Sequence, residues 1–219
     1  MYIKKKLVLI LALIALLSLF VSIALSAQDT VRIKHTNYTT VFSKSKRYPV
    51  LVEWYVTRAK IGCPTPLVRK DAFQPDPQLI QETDIKADYV GSGLDRGHNM
   101  PAAENLCQGA DVQTECFYMS NMTPQYHSLN AGDWKTLEVL ERATALERDS
   151  VRVWAGSVGV AKKIGRVSVP KQCWKVIYTV KDKQYLAFIF NNTPDKPKGL
   201  YTHQVPVQAV EKLTGFRFK

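Results

Sequence analysis

Asp95-Arg96-Gly97-His98 opens the stretch around which the rest of the chain is organised. It continues through Phe117-Tyr118-Met119-Ser120-Asn121-Met122-Thr123-Pro124-Gln125. It closes with Leu129-Asn130-Ala131-Gly132-Asp133-Trp134, then Leu137-Glu138 and Arg142. An imidazole, a neutral amide oxygen, a carboxylate and two guanidinium groups are gathered there. Hydrolysis of a phosphodiester needs groups of these kinds. Water must lose a proton as it attacks, which an imidazole can accept near neutral pH. Charge growing on the phosphorus and leaving oxygens must be neutralised, which Arg and a divalent metal can do.

Each residue also has a plainer reading. A lone His98 would be structural, and His35, His127 and His203 are read that way. Arg96 alone would be a surface residue with Asp95 as its ion-pair partner. Asn130 alone would turn the chain ahead of a helix, but its amide oxygen also suits Mg²⁺, which keeps several waters and needs few protein ligands. Glu138 lies eight residues on, about two helical turns, and Arg142 one turn further on the same face. Alone they would be an exposed helix pair. Their occurrence together in this order favours a site.

Outward from this stretch, the 219 residues suffice for one domain with a substantial core, and 46% hydrophobic content excludes a disordered chain. The net charge is +11. Residues 1–27 hold three Lys and no acidic residue, so the remainder carries 27 basic against 19 acidic groups, or +8. That sign and size suit a polyanionic partner or an acidic surface, without separating these from a merely soluble basic protein.

Lys4-Lys5-Lys6, an uncharged stretch over residues 7–25 and small residues at Ala24, Ser26 and Ala27 form the three-part pattern of a secretory signal. Residues 1–27 are therefore read as a signal peptide, cut after Ala27 or Ser26, or as an uncleaved anchor. Either places residues 28–219, a single domain, outside the cytoplasm: in the periplasm or the medium. Cys63, Cys107, Cys116 and Cys173 are expected to form two disulfides. Cys107 and Cys116 bracket a polar loop, which favours that bridge and leaves Cys63–Cys173. A zinc site is the weaker rival, because the spacings do not resemble paired ligand motifs.

Residues 28–46 alternate weakly and read as an arm or edge strand. Residues 50–57, 117–122, 151–155, 173–180 and 185–190 read as strands, with 181–184 as a turn. Residues 62–87 hold four of the eleven prolines and read as an irregular segment. Residues 133–149 read as a helix capped by Asp133, with Trp134, Leu137, Leu140 and Leu146 on its apolar stripe. Pro206 and Gly215 bracket a short terminal helix. The order predicts an α+β domain: a central, mainly antiparallel sheet with flanking helices.

Three blocks, Asp95-Arg96-Gly97-His98, Ser120-Asn121-Met122-Thr123-Pro124-Gln125 and Leu129-Asn130 with Gly132, Trp134 and Leu137-Glu138, resemble the sugar-non-specific DNA/RNA endonucleases with a ββα-metal active site. Weaker similarity reaches Trp54-Tyr55 upstream and residues 210–216 downstream. The resemblance implies His98 as general base and Asn130 as the one direct protein ligand of Mg²⁺, with Mn²⁺ as a substitute. Glu138 would hold metal-bound water. Arg96 and Arg142 would contact phosphate, and Arg69 would add a further contact. Asn121 would orient His98 or the phosphate. Products would carry 5′-phosphates.

DNA and RNA are then the expected partners, with no small-molecule cofactor and a membrane only if the N-terminal segment is kept. A homodimer is left open. Low sequence specificity is expected, because Arg, Lys and a metal read phosphate rather than bases. A toxin-like nuclease is weighed against by the lack of a delivery domain in the sequence. An exported nucleic-acid-binding module without turnover is the alternative from another class.

Overall fold

The computed structural model describes residues 29–219. The expected export segment therefore lies outside the described residues. Among the described residues no helix is long and apolar enough to cross a membrane.

A seven-stranded antiparallel sheet forms the frame. Its strands are β1 (Thr30–Lys34), β2 (Tyr38–Ser43), β3 (Tyr48–Thr57), β6 (Ser150–Val158), β9 (Gln172–Thr179), β10 (Gln184–Asn191) and β11 (Gln204–Val205), paired in that order. A separate antiparallel pair, β4 (Leu94–His98) with β5 (Met122–Tyr126), carries the signature residues. β7 (Lys162–Ile164) and β8 (Val167–Val169) make a small hairpin. Three helices matter here: α1 (Ala110–Glu115), α2 (Lys135–Arg148) and α3 (Val207–Thr214). The chain is thus the mixed α+β domain that its pattern predicts.

The central strands are buried on both faces because side chains alternate along each strand. Val52, Trp54 and Val56 of β3, Val153 and Ala155 of β6, Ile177 of β9 and Phe188 and Phe190 of β10 share one core with Trp134, Leu137 and Ala145 of the α2 segment. The intervening residues Leu51, Trp154, Trp174, Val176 and Ala187 form a second core on the other face, closed by Val210 of α3 and by Phe218. Gly215, at φ +77°, ends α3 in the left-handed conformation and turns this tail back.

Four expectations need correction. Residues 28–46 hold two strands rather than one, β1 and β2, joined around His35–Tyr38. Residues 119–121 form a tight turn, and the strand starts only at Met122. The Asn121 amide bonds backbone groups there and competes with a ladder. Asp133 does not cap α2. Its carboxylate instead accepts from the Lys198 backbone N–H at 3.1 Å and the His203 imidazole at 3.2 Å. Leu146, placed on the apolar stripe, is exposed.

The cysteine pairing is also different. Cys63 bonds Cys107, while Cys116 and Cys173 are free and buried. Their thiols point into the core under the sheet, and Cys116 donates to the Gln113 carbonyl. The 58–67 and 102–108 loops lie side by side: Gln108 donates to the Lys60 carbonyl, and the Leu67 N–H to the Leu106 carbonyl. The bridge closes a 44-residue separation that contains Arg69, Arg96 and His98. Replacing both half-cystines with Ala is expected to cost about 2–4 kcal/mol of stability through the freed unfolded chain. Chemical denaturation measures this, and an unchanged midpoint would contradict it.

Candidate active site

His98 ends β4, opposite Met122. Its ring is buried between Phe73 and Phe117, with centroids at 5.6 and 5.0 Å. Nε2 has no hydrogen-bond partner. Burial, then the Arg69 guanidinium, push the imidazole down to about 3; Asp71 opposes this, and Arg96 adds a smaller push down. His98 is therefore a neutral base at physiological pH, with an open, water-shielded acceptor.

Its backbone is fixed on two sides. The Trp134 indole donates to the His98 carbonyl at 3.0 Å. Asn99 donates to the Asn121 carbonyl from both its backbone and its amide. The Asn121 amide accepts from the Met100 N–H and donates to the Met100 and Cys116 carbonyls. Every polar atom of that side chain is thereby used by backbone. Gly97 is required by the packing of this hairpin: a Cβ there would stand 2.0 Å from the Gln125 side-chain oxygen.

Arg96 and His98 are two apart on β4 and share a face, so both meet Phe73. The Arg96 guanidinium lies 4.3 Å over that ring. Arg69 sits in the irregular segment, 5.4 Å over the Phe117 ring, and is held by Asp71 at 2.7 Å. Two cations are thus mounted on aromatic faces around the imidazole. They border a cleft of about 320 Å³ that also includes Tyr89, Asp95 and Asn130.

Asp95 does not pair with Arg96, because neighbouring side chains on a strand point to opposite faces. Its Oδ2 accepts from the Asn130 amide nitrogen at 2.8 Å and from His127 Nδ1 at 2.9 Å. Asn130 sits on a turn that continues from residues 127–129 and breaks at Gly132 before α2 starts. Pro197 packs on Gly132, where a Cβ would lie 2.5 Å from its Cγ. With its NH₂ committed to Asp95, Asn130, which lines the cleft, keeps Oδ1 as its neutral oxygen donor.

Glu138 lies in the first turn of α2 and Arg142 one turn later, both half-buried. Burial pushes the Glu138 carboxyl up to about 7, with Lys175, Arg142 and Arg69 pulling it down and Glu141 adding to the rise. Arg142 Nη1 is buried without a partner. The oxygen donors of Asn130 and Glu138 suit a hard divalent cation, and the Asp95 carboxylate that orients the Asn130 amide is the support such a ligand needs.

Arg69, Arg96 and Asn130 line the cleft, His98 feels the charges of Arg69 and Arg96, and Glu138 feels those of Arg142 and Arg69. The fold leaves Asn121 behind the site, with its side chain bonded to backbone. Sequence reasoning missed Phe73 and Phe117 as its walls, Asp95 as the partner of Asn130, and the pairing of His127. Asp95 and Phe117 carried a signal, each standing first in a run of the quoted stretch, whereas Phe73 and the pairing of His127 carried none.

A pH dependence follows from the two shifts. His98 stays neutral well below pH 6, whereas Glu138 loses its charge as pH falls through about 7. The affinity of these oxygen donors for a hard divalent cation is expected to fall below pH 7, about tenfold per unit for one linked proton. Titrations between pH 5.5 and 8 measure it, and a flat profile would contradict it.

Comparison with known proteins gives the family. The profile of the DNA/RNA non-specific endonucleases matches residues 20–219. The mitochondrial nuclease EXOG of Xenopus laevis is 31% identical over 210 residues, covering 84% of this chain and 57% of that protein. The human EXOG nuclease is likewise 31% identical, with 84% and 55% covered. This chain thus spans little more than half the length of those two relatives. A Serratia marcescens nuclease is 28% identical, with 85% and 74% covered. The crystal structure of EndoG in complex with EndoGI superposes with a TM-score of 0.72 at 27% identity, over 85% of this chain and 84% of that one. With the family profile spanning nearly all of its length, the chain belongs to the DNA/RNA non-specific endonuclease family.

Proposed function

We propose that this protein is an exported, Mg²⁺-dependent endonuclease that hydrolyses DNA and RNA without reading sequence, leaving 5′-phosphate ends. The observation that carries the reading is the unpartnered Nε2 of His98, buried beside two mounted guanidinium groups. Arg69 and Arg96 bind and orient a phosphate at the cleft. His98 takes the proton of the attacking water at Nε2. Asn130 through Oδ1, and Glu138 through water, would hold the metal, which supplies Lewis-acid stabilisation of phosphate charge when bound. Arg142 offers its free Nη1 to phosphate oxygen. Asn121 acts on His98 through the backbone that it bonds.

The two arginines bound to the backbone of the substrate carry no base information, which supports action on both nucleic acids. The N-terminal sequence pattern supports export, to periplasm or medium. Product end-groups test the chemistry. Fragments that ligate without prior phosphorylation are expected, and 5′-hydroxyl ends would overturn the assignment of the attacking and leaving groups.

A further inference from the structure

Lys175 is a charged residue inside the core. It lies on the site-facing side of β9, its side chain has no solvent exposure, and its ammonium is 3.1 and 3.4 Å from the two carboxylate oxygens of equally buried Glu141. The ammonium also sits 4.6 Å over the Trp134 ring and 5.3 Å over the Trp54 ring. Glu104, 2% exposed, accepts from the Trp54 indole at 2.6 Å, and its other carboxyl oxygen is buried without a hydrogen-bond partner. Burial, with Glu141 beside it, holds Glu104 well above the usual carboxylate range.

Such a cluster is poor value as a stabiliser. Desolvating an ion pair costs several kcal/mol per ion, and apolar residues of like volume are often as stable or better. Its connections point elsewhere. Trp134, under the ammonium, donates to the His98 carbonyl. Glu141 stands between Glu138, one turn before it on α2, and Arg142, the next residue. Three groups of the site thus depend on where this one ammonium holds Trp134 and Glu141.

We propose that Lys175 and Glu141 are positioning residues for the hydrolysis: their buried ion pair sets α2 and Trp134 so that Glu138, Arg142 and the His98 backbone stand in working register. The inference rests on the nuclease reading above. Neither residue touches substrate, so both act through others. An apolar pair would fill the same space yet leave helix and indole free to settle differently, and displacements of about 1 Å cost on the order of 100-fold in rate.

The test is the double variant Lys175→Met/Glu141→Leu, with melting measured in EDTA and kcat and KM measured separately on DNA with Mg²⁺. The expected result is a melting temperature equal to or above that of the parent, with kcat down roughly 10- to 100-fold and KM changed little. A folded double variant with parental kcat overturns the proposal. Should it fail to fold, Lys175→Gln/Glu141→Gln keeps polar contact without charge, and parental kcat there overturns it equally. Failure of both to fold also overturns it, making the pair a determinant of folding. If the parent protein itself cleaves nothing, it is the nuclease reading that has failed.

Discussion

Replacing His98 with Ala is expected to lower kcat about 10²- to 10⁴-fold, the usual contribution of a positioned general base, while DNA binding stays close to parental. The physical reason is local. The imidazole is buried between Phe73 and Phe117, and its Nε2 is free to accept a proton. Burial and two guanidinium groups keep it neutral. Phosphate affinity is proposed to reside in Arg69 and Arg96, which are mounted on aromatic rings that the substitution leaves in place. Gel-shift binding and initial rates separate the two effects. Loss of binding in step with rate would make His98 part of the binding surface. Unchanged cleavage would remove it from the mechanism. The same variant discriminates against a capture module, which would show no turnover to lose.

Asn130→Ala is expected to reduce cleavage by more than the roughly 10- to 100-fold that accompanies loss of an outer-shell partner, because it deletes the one direct protein oxygen proposed for the metal. Asp95→Ala should fall within that smaller range. Asp95 fixes the Asn130 NH₂ at 2.8 Å and so determines which end of the amide faces the cleft. Without it the amide is free to rotate. Both variants should show a raised Mg²⁺ requirement, larger for Asn130→Ala, seen as a shifted half-saturation in cleavage titrations. Parental metal dependence in Asn130→Ala would contradict the ligand assignment. A loss in Asp95→Ala without any change in metal dependence would assign the carboxylate to folding instead.

The frame was legible where neighbours along the chain decide conformation. β3, β6, β9 and β10 follow from β-branched and aromatic runs, and α3 from Pro206 and Gly215. Misreadings fell where distant residues decide. Asp133 looked like a helix cap, but its acceptors serve the Lys198 N–H and His203, 65 and 70 residues away. The cysteine pairing turned on Cys116 and Cys173 pointing into the core, which spacing does not report. The order of the signature blocks picked out Arg96, His98, Asn130 and Glu138, but not what holds them. Phe73 lies in a proline-rich segment with no period, and Lys175 reads as a routine charge in an apolar strand until the register places it opposite α2.

The central claim is metal-dependent hydrolysis of both nucleic acids. Incubating the purified, oxidised protein with plasmid DNA and with total RNA, in Mg²⁺ and in EDTA, tests it most directly. Degradation of both substrates in Mg²⁺ and of neither in EDTA is the predicted result. A folded protein that leaves both intact in Mg²⁺, or degrades them equally in EDTA, would contradict it.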